Sequence, residues 1–269
     1  MMMTARNISL SVNGRKLLND VSLDIAPGLF TAIAGPNGAG KTSLLKILSN
    51  ESNQYSGELS INGTSVSQYS VTDLSKVRSV LPQSSHLQFP FTVQQIVAMG
   101  RHYQSSPGQS RKVLKEVMAL TGVQGWDERN YLTLSGGEQQ RVQLARVLAQ
   151  VWEERDYPRY ILLDEPTSSL DIAQQQLIFS LVKHACERNI GVMAIVHDLN
   201  QVAQFADTIY FLKSGTVVAR GKINEVFTKS IIEETFCCRV NVYHDPCTQC
   251  PYIVPDRNIF QSPLKTVNV

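Results

Sequence analysis

One octet of the sequence, Gly35–Thr42, has the residue types and spacing that hold phosphate groups. Its three glycines precede a lysine and a threonine, and it lies between the apolar run Phe30–Ala34 and a stretch with helical apolar spacing. This order predicts a strand, a glycine-rich loop and a helix, so that backbone N–H groups and the positive helix end face an anion. Lys41 would contact the β- and γ-phosphates, and the Thr42 hydroxyl would ligate Mg²⁺. We therefore expect a nucleoside triphosphate to bind at Gly35, Pro36, Asn37, Gly38, Ala39, Gly40, Lys41, Thr42 and Ser43.

A pair of carboxylates, Asp164 and Glu165, follows the apolar run Ile161–Leu163. Ligands of open α/β sheets bind beyond the carboxyl ends of the strands, so the pair is predicted to face the same crevice as Lys41. Asp164 has the oxygen ligands that Mg²⁺ prefers, and Glu165 is then free to orient and deprotonate an attacking water. An isolated Asp-Glu pair is more often a polar strand end, but the phosphate loop reverses that preference.

Two further candidates, His197 and Gln83, also follow apolar runs. A lone histidine after a strand such as Val192–Val196 is usually a structural residue. Here three strand ends converge on one crevice, which favours a γ-phosphate contact for His197. Gln83, after Val80–Pro82, has no diagnostic value alone because exposed glutamines are common.

A second octet, Leu134–Arg141, has the pattern of a helix start. Ser135 and Glu138 have the spacing of a capping box before an amphipathic helix. Gly136 and Gly137 weaken a first helical turn and leave its N–H groups uncovered. We therefore expect this helix start to bind an anion at close range.

The bulk properties limit the class of protein. At 269 residues and 43% hydrophobic composition, the chain can form one large α/β domain or a core with a smaller lobe. A net charge of +2 gives no electrostatic case for nucleic acid as a partner. The N-terminus lacks the layout of a secretory signal, and no apolar run is long enough for a membrane span. Five cysteines, an odd count, fit a reducing cytosol better than a disulfide framework.

The remaining pattern indicates a sheet interrupted by a helical insertion. Helical spacing dominates from about residue 84 to 155, and Gly57–Ile61, Tyr160–Leu163 and Gly191–Val196 are strand candidates. Residues 1–30 alternate weakly, as antiparallel strands with one buried face would; the alternating residues are Ile8, Leu10, Val12, Val21, Leu23 and Ile25. The predicted turns are Asn13-Gly14, Pro27-Gly28 and Asn62-Gly63.

In this order and spacing, the motifs resemble those of ABC-transporter ATPase subunits. Gly35–Thr42 is similar to the family's Walker A motif, Gln83 to its Q-loop and Leu134–Arg141 to its signature. Ile161–Glu165 is similar to its Walker B motif, Ser168–Asp171 to its D-loop and His197 to its H-loop. The resemblance implies an α/β fold: a P-loop NTPase (RecA-like) core with a mostly parallel sheet, an N-terminal antiparallel β subdomain and an inserted helical subdomain. It also implies an ATPase domain at 1–225, with the insertion at about 84–155, and a C-terminal extension, 226–269, packed on the core.

The resemblance further implies a mechanism that the residues alone do not. Two copies would pair head to tail as a homodimer, with each ATP between the phosphate loop of one copy and the signature of the other. By motif position, the catalytic residues would be Glu165, His197 and Gln83, and the residues that hold Mg²⁺ would be Thr42, Gln83 and Asp164. Asp171 would be the D-loop aspartate. The signature residues that act across the dimer would be Ser135, Gly136, Gly137 and Glu138.

A closer resemblance, to haemin-import ATP-binding subunits, lies in Phe89–Val93, Val97–Arg101 and Pro158–Glu165. It implies ATP hydrolysis coupled to haem uptake, and an integral membrane permease dimer that contacts the region after Gln83. It also implies a periplasmic haem-binding protein and a peripheral location on the cytoplasmic face of the bacterial inner membrane. One departure is Val12, which stands where family members often stack adenine on an aromatic residue, so base selectivity is expected to be weak.

Several alternatives stay open at this level. An ATPase of a siderophore or cobalamin importer has the same motifs, and the motifs alone do not exclude an exporter. A non-transport ATPase of the superfamily is less favoured because the chain has neither a long coiled-coil insertion nor a second cassette. Intact Glu165 and His197 argue against a regulatory module without chemistry.

Four cysteines near the C-terminus invite a zinc or haem site: Cys237, Cys238, Cys247 and Cys250. The adjacent pair lacks the gap of a usual zinc half-site, so metal binding is disfavoured. A small hairpin or loop packed on the core is the favoured interpretation, with its turn at Asp245-Pro246.

Overall fold

The structure is a computed structural model, and it describes residues 1–83, 87, 89–102, 106–168 and 170–256. Part of the stretch after Gln83, Ser169 of the predicted D-loop and residues 257–269 of the predicted C-terminal extension lie outside this range.

Strands and helices are interspersed along the described part of the chain. In chain order the strands are β1 (Met3–Val12), β2 (Arg15–Ile25), β3 (Phe30–Ala34), β4 (Ser56–Ile61), β5 (Thr64–Ser65), β6 (Arg78–Leu81), β7 (Arg159–Asp164), β8 (Ile190–Ile195), β9 (Thr208–Lys213), β10 (Thr216–Lys222), β11 (Val240–His244) and β12 (Pro251–Pro255). The α-helices are α1 (Lys41–Leu48), α2 (Val71–Val77), α3 (Val93–Met99), α4 (Pro107–Leu120), α5 (Gly136–Val151), α6 (Ile172–Glu187), α7 (Leu199–Phe205), α8 (Ile223–Val226) and α9 (Lys229–Phe236).

The central sheet has the strand order β10-β9-β3-β8-β7-β6. Its strands run parallel from β9 to β6, and β10 pairs with β9 antiparallel. A second, antiparallel sheet has the order β2-β1-β4-β5, and β11 pairs with β12 as a separate hairpin. The predicted α/β class, with a mostly parallel core and an N-terminal antiparallel β subdomain, is confirmed.

The central strands β3, β7 and β8 are buried along their whole length because alternate side chains enter two different cores. In β7, Ile161 and Leu163 pack in the core that contains the helices after β6. Tyr160 and Leu162, on the opposite face, pack in the core that contains the antiparallel sheet and α1. Burial of both faces is typical of parallel sheets. It fixes the orientation of each strand, and so the direction in which the strand's end points.

The predicted turn at Asn13-Gly14 joins β1 to β2. Asn13 and Gly14 both have positive φ, 50° and 76°, which is the backbone that a two-residue hairpin requires. Val12, directly before this turn, is 44% exposed, so the predicted burial of the alternating face holds for Ile8 and Leu10 and is wrong for Val12. The strand ends there, and the turn carries Val12 out of the core.

Among the described residues, three α-helices, α3 to α5, lie between β6 and β7, where the helical insertion was predicted. Their apolar faces share one core with the central sheet, and α5 contacts both α3 and α4. The inserted helical subdomain is therefore confirmed, whereas the boundary drawn at residue 225 stays a prediction.

After β10, the described chain up to residue 256 folds back onto the core. Val242 of β11 and Ile253 of β12 pack against the helical core, and the hairpin turn begins at Asp245, as predicted. The Asp245 carboxylate accepts hydrogen bonds from the backbone N–H groups of Cys247 and Thr248, which closes the turn. In the described part of the chain, no helix has the length and apolar character to cross a membrane.

Candidate nucleotide site

The glycine-rich loop connects β3 to α1, as the sequence predicts. Gly40 precedes the helix with a φ of 98°, and a Cβ at this position would lie 2.7 Å from the Leu17 carbonyl oxygen. Gly38 has a φ of 77° and open space around it. Both positions therefore require the left-handed backbone that glycine adopts without strain, and Gly40 also requires the absence of a side chain. The loop enters α1 with its N–H groups at the helix start, which is a favourable place for an anion.

Lys41 lies inside this loop, with only 6% of its surface exposed. Its ammonium donates hydrogen bonds to the carbonyl oxygens of Gly35 at 2.8 Å and Pro36 at 3.0 Å. Burial lowers the pKa of Lys41, and the carboxylates of Glu165 and Asp164 oppose that effect. The loop thus holds a cation in its centre, with two anions close enough to act on it.

Asp164 is the last residue of β7 and is 4% exposed. Burial and the adjacent Glu165 carboxylate raise the pKa of Asp164, against the opposing charge of Lys41. Its Oδ1 atom is buried without a hydrogen-bond partner. A buried carboxylate oxygen that no protein donor satisfies fits a cation ligand, because carboxylate oxygens suit Mg²⁺. The exposed Thr42 lies in the first turn of α1, and its hydroxyl is a second oxygen donor of the type that Mg²⁺ takes.

Glu165 joins the ends of three neighbouring strands. Its Oε2 accepts a hydrogen bond from the Gln83 amide at 2.9 Å, and its Oε1 lies 2.5 Å from Nε2 of His197. Gln83 follows β6, Glu165 follows β7 and His197 follows β8, and these strands are adjacent and parallel. Glu165 has a φ of 50°, so the chain turns sharply as it leaves β7. The structure therefore brings together the three residues that the sequence placed in the catalytic group.

The second octet forms the predicted capping box at the start of α5. The Ser135 hydroxyl accepts from the Glu138 N–H at 3.4 Å, and the Glu138 carboxylate accepts from the Ser135 N–H at 2.8 Å. The pKa of Glu138 is lowered first by the hydrogen bond from the Ser135 backbone N–H to its carboxylate and then by the Ser135 hydroxyl beside that carboxylate. Arg129 forms an ion pair with Glu138 at 3.2 Å. Within the described ranges, no hydrogen bond joins Ser135 or Glu138 to the phosphate loop.

Two glycines open α5, and the second lies against the start of α6. A Cβ at Gly137 would lie 2.1 Å from Oε1 of Gln174, so the two helix starts approach closely. Gly136 has open space around it. Asp171 is the N-cap of α6 and accepts from the Gln174 N–H at 2.8 Å. The predicted D-loop aspartate therefore stabilises the helix that packs beside the signature.

These positions coincide with those of a known family. A family model described as ABC transporter matches residues 18–168, which is more than half of the chain. The chain belongs to the ABC transporter family. The matched region includes the phosphate loop, Gln83, the signature octet and both carboxylates, whereas His197 lies beyond it.

Relatives and solved structures agree with this ABC transporter assignment. The hemin import ATP-binding protein HmuV of Escherichia coli O157:H7 is 42% identical over 95% of this chain and 100% of its own length. The protein of the same name from Gloeobacter violaceus is 43% identical over 94% of each chain. A structure described as an inward-facing ABC transporter of metal-chelate type superposes with a TM-score of 0.78 at 23% identity, covering 95% of this chain and 97% of its own. A nucleotide-free ATP-binding cassette from an ABC transporter superposes with a TM-score of 0.74 at 20% identity, covering 87% of this chain and 98% of its own. The predicted family, its resemblance to haemin-import subunits and the fold are confirmed.

The ABC transporter site also contains a polar network that the sequence did not predict. The Gln201 amide of α7 donates to Oε1 of Gln175 in α6, and the Gln175 amide donates to the carbonyl oxygen of Leu170 at 3.0 Å. The Thr167 hydroxyl lies 3.5 Å from Oε1 of Gln201. This network links the loop after Glu165 to the helix after His197. A run of three glutamines, 174–176, is the sequence signal that could have drawn attention to it.

The C-terminal cysteines lie around the hairpin. Cys247 and Cys250 are in its turn, and Cys237 and Cys238 follow α9. All four are free thiols, and burial raises the pKa values of Cys238 and Cys250. Among the described residues, no group of three or more His, Cys, Asp or Glu side chains is arranged to hold a metal ion.

Proposed function

We propose that this chain hydrolyses ATP, and that the hydrolysis powers the import of haem or a related iron chelate through a partner permease. The observation that carries the proposal is the Glu165 carboxylate, which contacts Gln83 and His197 at one strand edge beside Asp164 and Lys41. The assignment of haem as the transported cargo has a different kind of support. It comes from the relatives named hemin import ATP-binding proteins, which align over nearly the whole chain.

The phosphate loop binds the substrate. Lys41 exchanges its bonds to the loop carbonyls for bonds to the β- and γ-phosphates, and the N–H groups at the start of α1 bind the remaining phosphate oxygens. Because burial already removes water from Lys41, its charge acts on the phosphates in a weakly screened environment.

Three side chains of this site would hold Mg²⁺: Thr42, Gln83 and Asp164. When bound, Mg²⁺ neutralises the charge that develops on the β- and γ-phosphate oxygens. The unpaired, buried Oδ1 of Asp164 supports this assignment, and the Thr42 hydroxyl lies in the first turn of the phosphate-loop helix.

Glu165 is the general base in the proposed reaction. Its carboxylate accepts a proton from the water that attacks the γ-phosphorus, and the bond to the ADP oxygen breaks as the new P–O bond forms, giving ADP and phosphate. Gln83 and His197 fix the two Glu165 oxygens before the substrate binds. His197 then contacts the γ-phosphate, so that the base and the phosphate are held by the same side chain.

The complete site requires a second copy of the chain. In one copy Ser135 and Glu138 form hydrogen bonds with each other, and Gly137 packs on α6. We infer a head-to-tail homodimer in which Ser135 and Gly137 of one copy complete the phosphate site of the other. Closure of such a pair around ATP is the movement that would be passed to the permease.

The permease contact is assigned to the region after Gln83. Phe89, in this region, is 68% exposed and packs edge to face on Phe91 at 6.2 Å. Phe91 is half-buried against the helical core, so it anchors an exposed aromatic ring, Phe89, that suits an apolar protein contact. The chain would then act as a peripheral subunit on the cytoplasmic face of the bacterial inner membrane, and a periplasmic haem-binding protein would supply the cargo to the permease.

Two measurements test the proposal. Purified chain should release phosphate from ATP, and no release with Mg²⁺ present would refute the ATPase assignment. Co-purification from native membranes should recover the permease, and vesicles with the whole complex should take up haem when ATP is supplied. Uptake of a ferric siderophore or of cobalamin in place of haem would overturn the cargo and leave the ATPase assignment intact.

A further inference from the structure

The C-terminal hairpin is attached to the helix that follows His197. Asn200, in the first turn of α7, accepts a hydrogen bond from the Ile253 backbone N–H at 2.8 Å through its side-chain oxygen. Its side-chain amide donates to the Ile253 carbonyl oxygen at 3.4 Å. One planar amide thus satisfies both polar groups of a single strand residue.

This pairing is possible because of the register of the hairpin. Ile253 lies opposite Val242 of β11, and its backbone groups bond Asn200 rather than Val242. Antiparallel strands alternate between pairs that exchange backbone hydrogen bonds and pairs that do not, and Ile253 belongs to the second kind. Its N–H and C=O therefore point to the outer edge of β12. Asn200 occupies that edge as one residue of a third strand would.

The same turn of α7 carries the local restraints on His197. Asp198 directly follows His197 and caps α7, accepting from the Asn200 N–H at 2.8 Å and the Gln201 N–H at 3.3 Å. Gln201 holds the other side of this turn through its bond to Gln175. The first turn of α7 is therefore fixed on one side by α6 and on the other side by the hairpin.

We propose that Asn200 is a positioning residue, which braces the first turn of α7 on the hairpin and so holds His197 against Glu165. The proposal deepens the proposed function, because it assigns the C-terminal extension a part in ATP hydrolysis. Side-chain packing supports the brace, since Ile253 and Val242 anchor the hairpin in the helical core. A shift of β12 would move Asn200, and the His197 ring lies only three residues earlier along the chain.

Asn200→Ala tests the brace, because Asn200 is exposed and alanine is the strongest helix former, so the substitution leaves α7 intact. Asn224→Ala is the matched control, an exposed asparagine of α8 beside the same hairpin. We expect Asn200→Ala to lower kcat for ATP about tenfold, because two hydrogen bonds of ordinary strength shift a two-state equilibrium by about that factor. The KM for ATP should stay within about twofold because the phosphate loop is unchanged.

A second readout does not depend on turnover. The chain has five histidines, and the ring signals of His197 can be assigned in a histidine-selective NMR spectrum from their loss in His197→Ala. Asn200→Ala should move the His197 signals toward those of an imidazole in water, and Asn224→Ala should leave them in place. Unchanged His197 signals, or a lower kcat without a change in them, would overturn the proposal. Wild-type chain that does not hydrolyse ATP would refute the proposed function, and the NMR comparison would still decide whether Asn200 positions His197.

Discussion

Oε1 of Glu165 lies 2.5 Å from Nε2 of His197, although the two residues follow different strands of the central sheet. The contact is possible because β7 and β8 are adjacent and parallel, with Asp164 paired to Ile195 at their ends. Both side chains therefore leave the sheet at the same edge. This contact joins Glu165, the proposed general base, to His197, the proposed γ-phosphate contact, before any substrate binds.

Glu165→Gln should keep ATP binding and lose hydrolysis. Glutamine has the same shape, so Gln83 and His197 keep a partner at position 165, but the amide does not accept the proton of the attacking water. We expect turnover to fall at least about a hundredfold, the usual contribution of a general base, with the Kd for ATP nearly unchanged. Phosphate release and nucleotide binding measured on the same preparation check this. Near-normal turnover would remove Glu165 from the role of base.

Asp164→Asn should stabilise the protein and abolish its Mg²⁺-dependent activity. The Asp164 carboxylate is buried and its Oδ1 has no partner, so the folded state holds a charge at a cost. An unsatisfied buried group costs about 1–3 kcal/mol, and in a chain of this size ~1 kcal/mol moves Tm by about 2 to 4 °C. We expect a rise in Tm of at least that size at pH 8, measured by thermal unfolding without nucleotide.

The pH dependence of that gain follows from the direction of the pKa shift. The folded protein raises the pKa of Asp164 above the value of 3.8 that is ordinary for aspartate. The folded state then binds the proton more tightly than the unfolded chain, so Asp164 costs stability as the pH rises through the folded pKa. The difference in Tm between Asp164→Asn and wild type should shrink as the pH falls from 8 toward 4. A difference that grows on acidification would contradict the assignment of a buried, unpaired carboxylate.

The local structures that the sequence predicted correctly are those whose signal lies within one short segment. The loop Gly35–Thr42 and the capping box of Ser135 and Glu138 each lie within one short segment, where residue type and backbone conformation determine each other. The contacts of Glu165 could be placed at one edge only because strands of a parallel sheet end together. Gln83 could be chosen as a partner only through the family resemblance, because exposed glutamines are common and its own local pattern is not diagnostic.

Contacts between distant segments had no such signal. Asn200 and Ile253 are far apart in the chain, and nothing in either residue type indicates a side-chain amide on a strand edge. The network of Gln175 and Gln201 depends in the same way on how α6 and α7 pack. Val12 was placed on a buried face because the alternation of β1 does not reveal where the strand ends.

The side chain of Val12 leads to a prediction about the selectivity of the site for ATP over GTP. It is exposed beside the first turn of the chain and offers apolar surface without a π-face. If the adenine binds there, as the family resemblance implies, GTP should support turnover within about tenfold of ATP, a difference of about 1.4 kcal/mol or less. Val12→Tyr should raise the preference for ATP, because an aromatic ring can stack on the base.

The control for this comparison is Val71→Tyr, which adds a tyrosine at another exposed valine, at the start of α2. Rates for ATP and GTP at equal concentration decide the question. A preference for ATP of about a hundredfold in wild type, or equal effects of the two tyrosines, would show that Val12 does not contact the base.

A mixing experiment tests the proposed head-to-tail dimer. In the Glu165→Gln background, where bound ATP is preserved, Lys41→Ala removes the lysine from both sites of a homodimer and Ser135→Ala removes the serine from both. A mixed dimer has one site that lacks both residues and one site that is intact. We expect each variant alone to stay monomeric with ATP and the mixture to form dimers, measured by light scattering.

Loss of the helix cap is the competing explanation for Ser135→Ala, since a serine N-cap contributes about 1 kcal/mol. Ser70→Ala removes the serine cap of α2, whose hydroxyl accepts from the Asp73 N–H at 3.0 Å, without touching the signature. This variant should still dimerise with ATP. If the mixture stays monomeric while Glu165→Gln alone dimerises, Ser135 does not complete a site across the interface. If Ser135 and Lys41 instead belonged to the same site within one chain, mixing the two variants would not restore dimer formation.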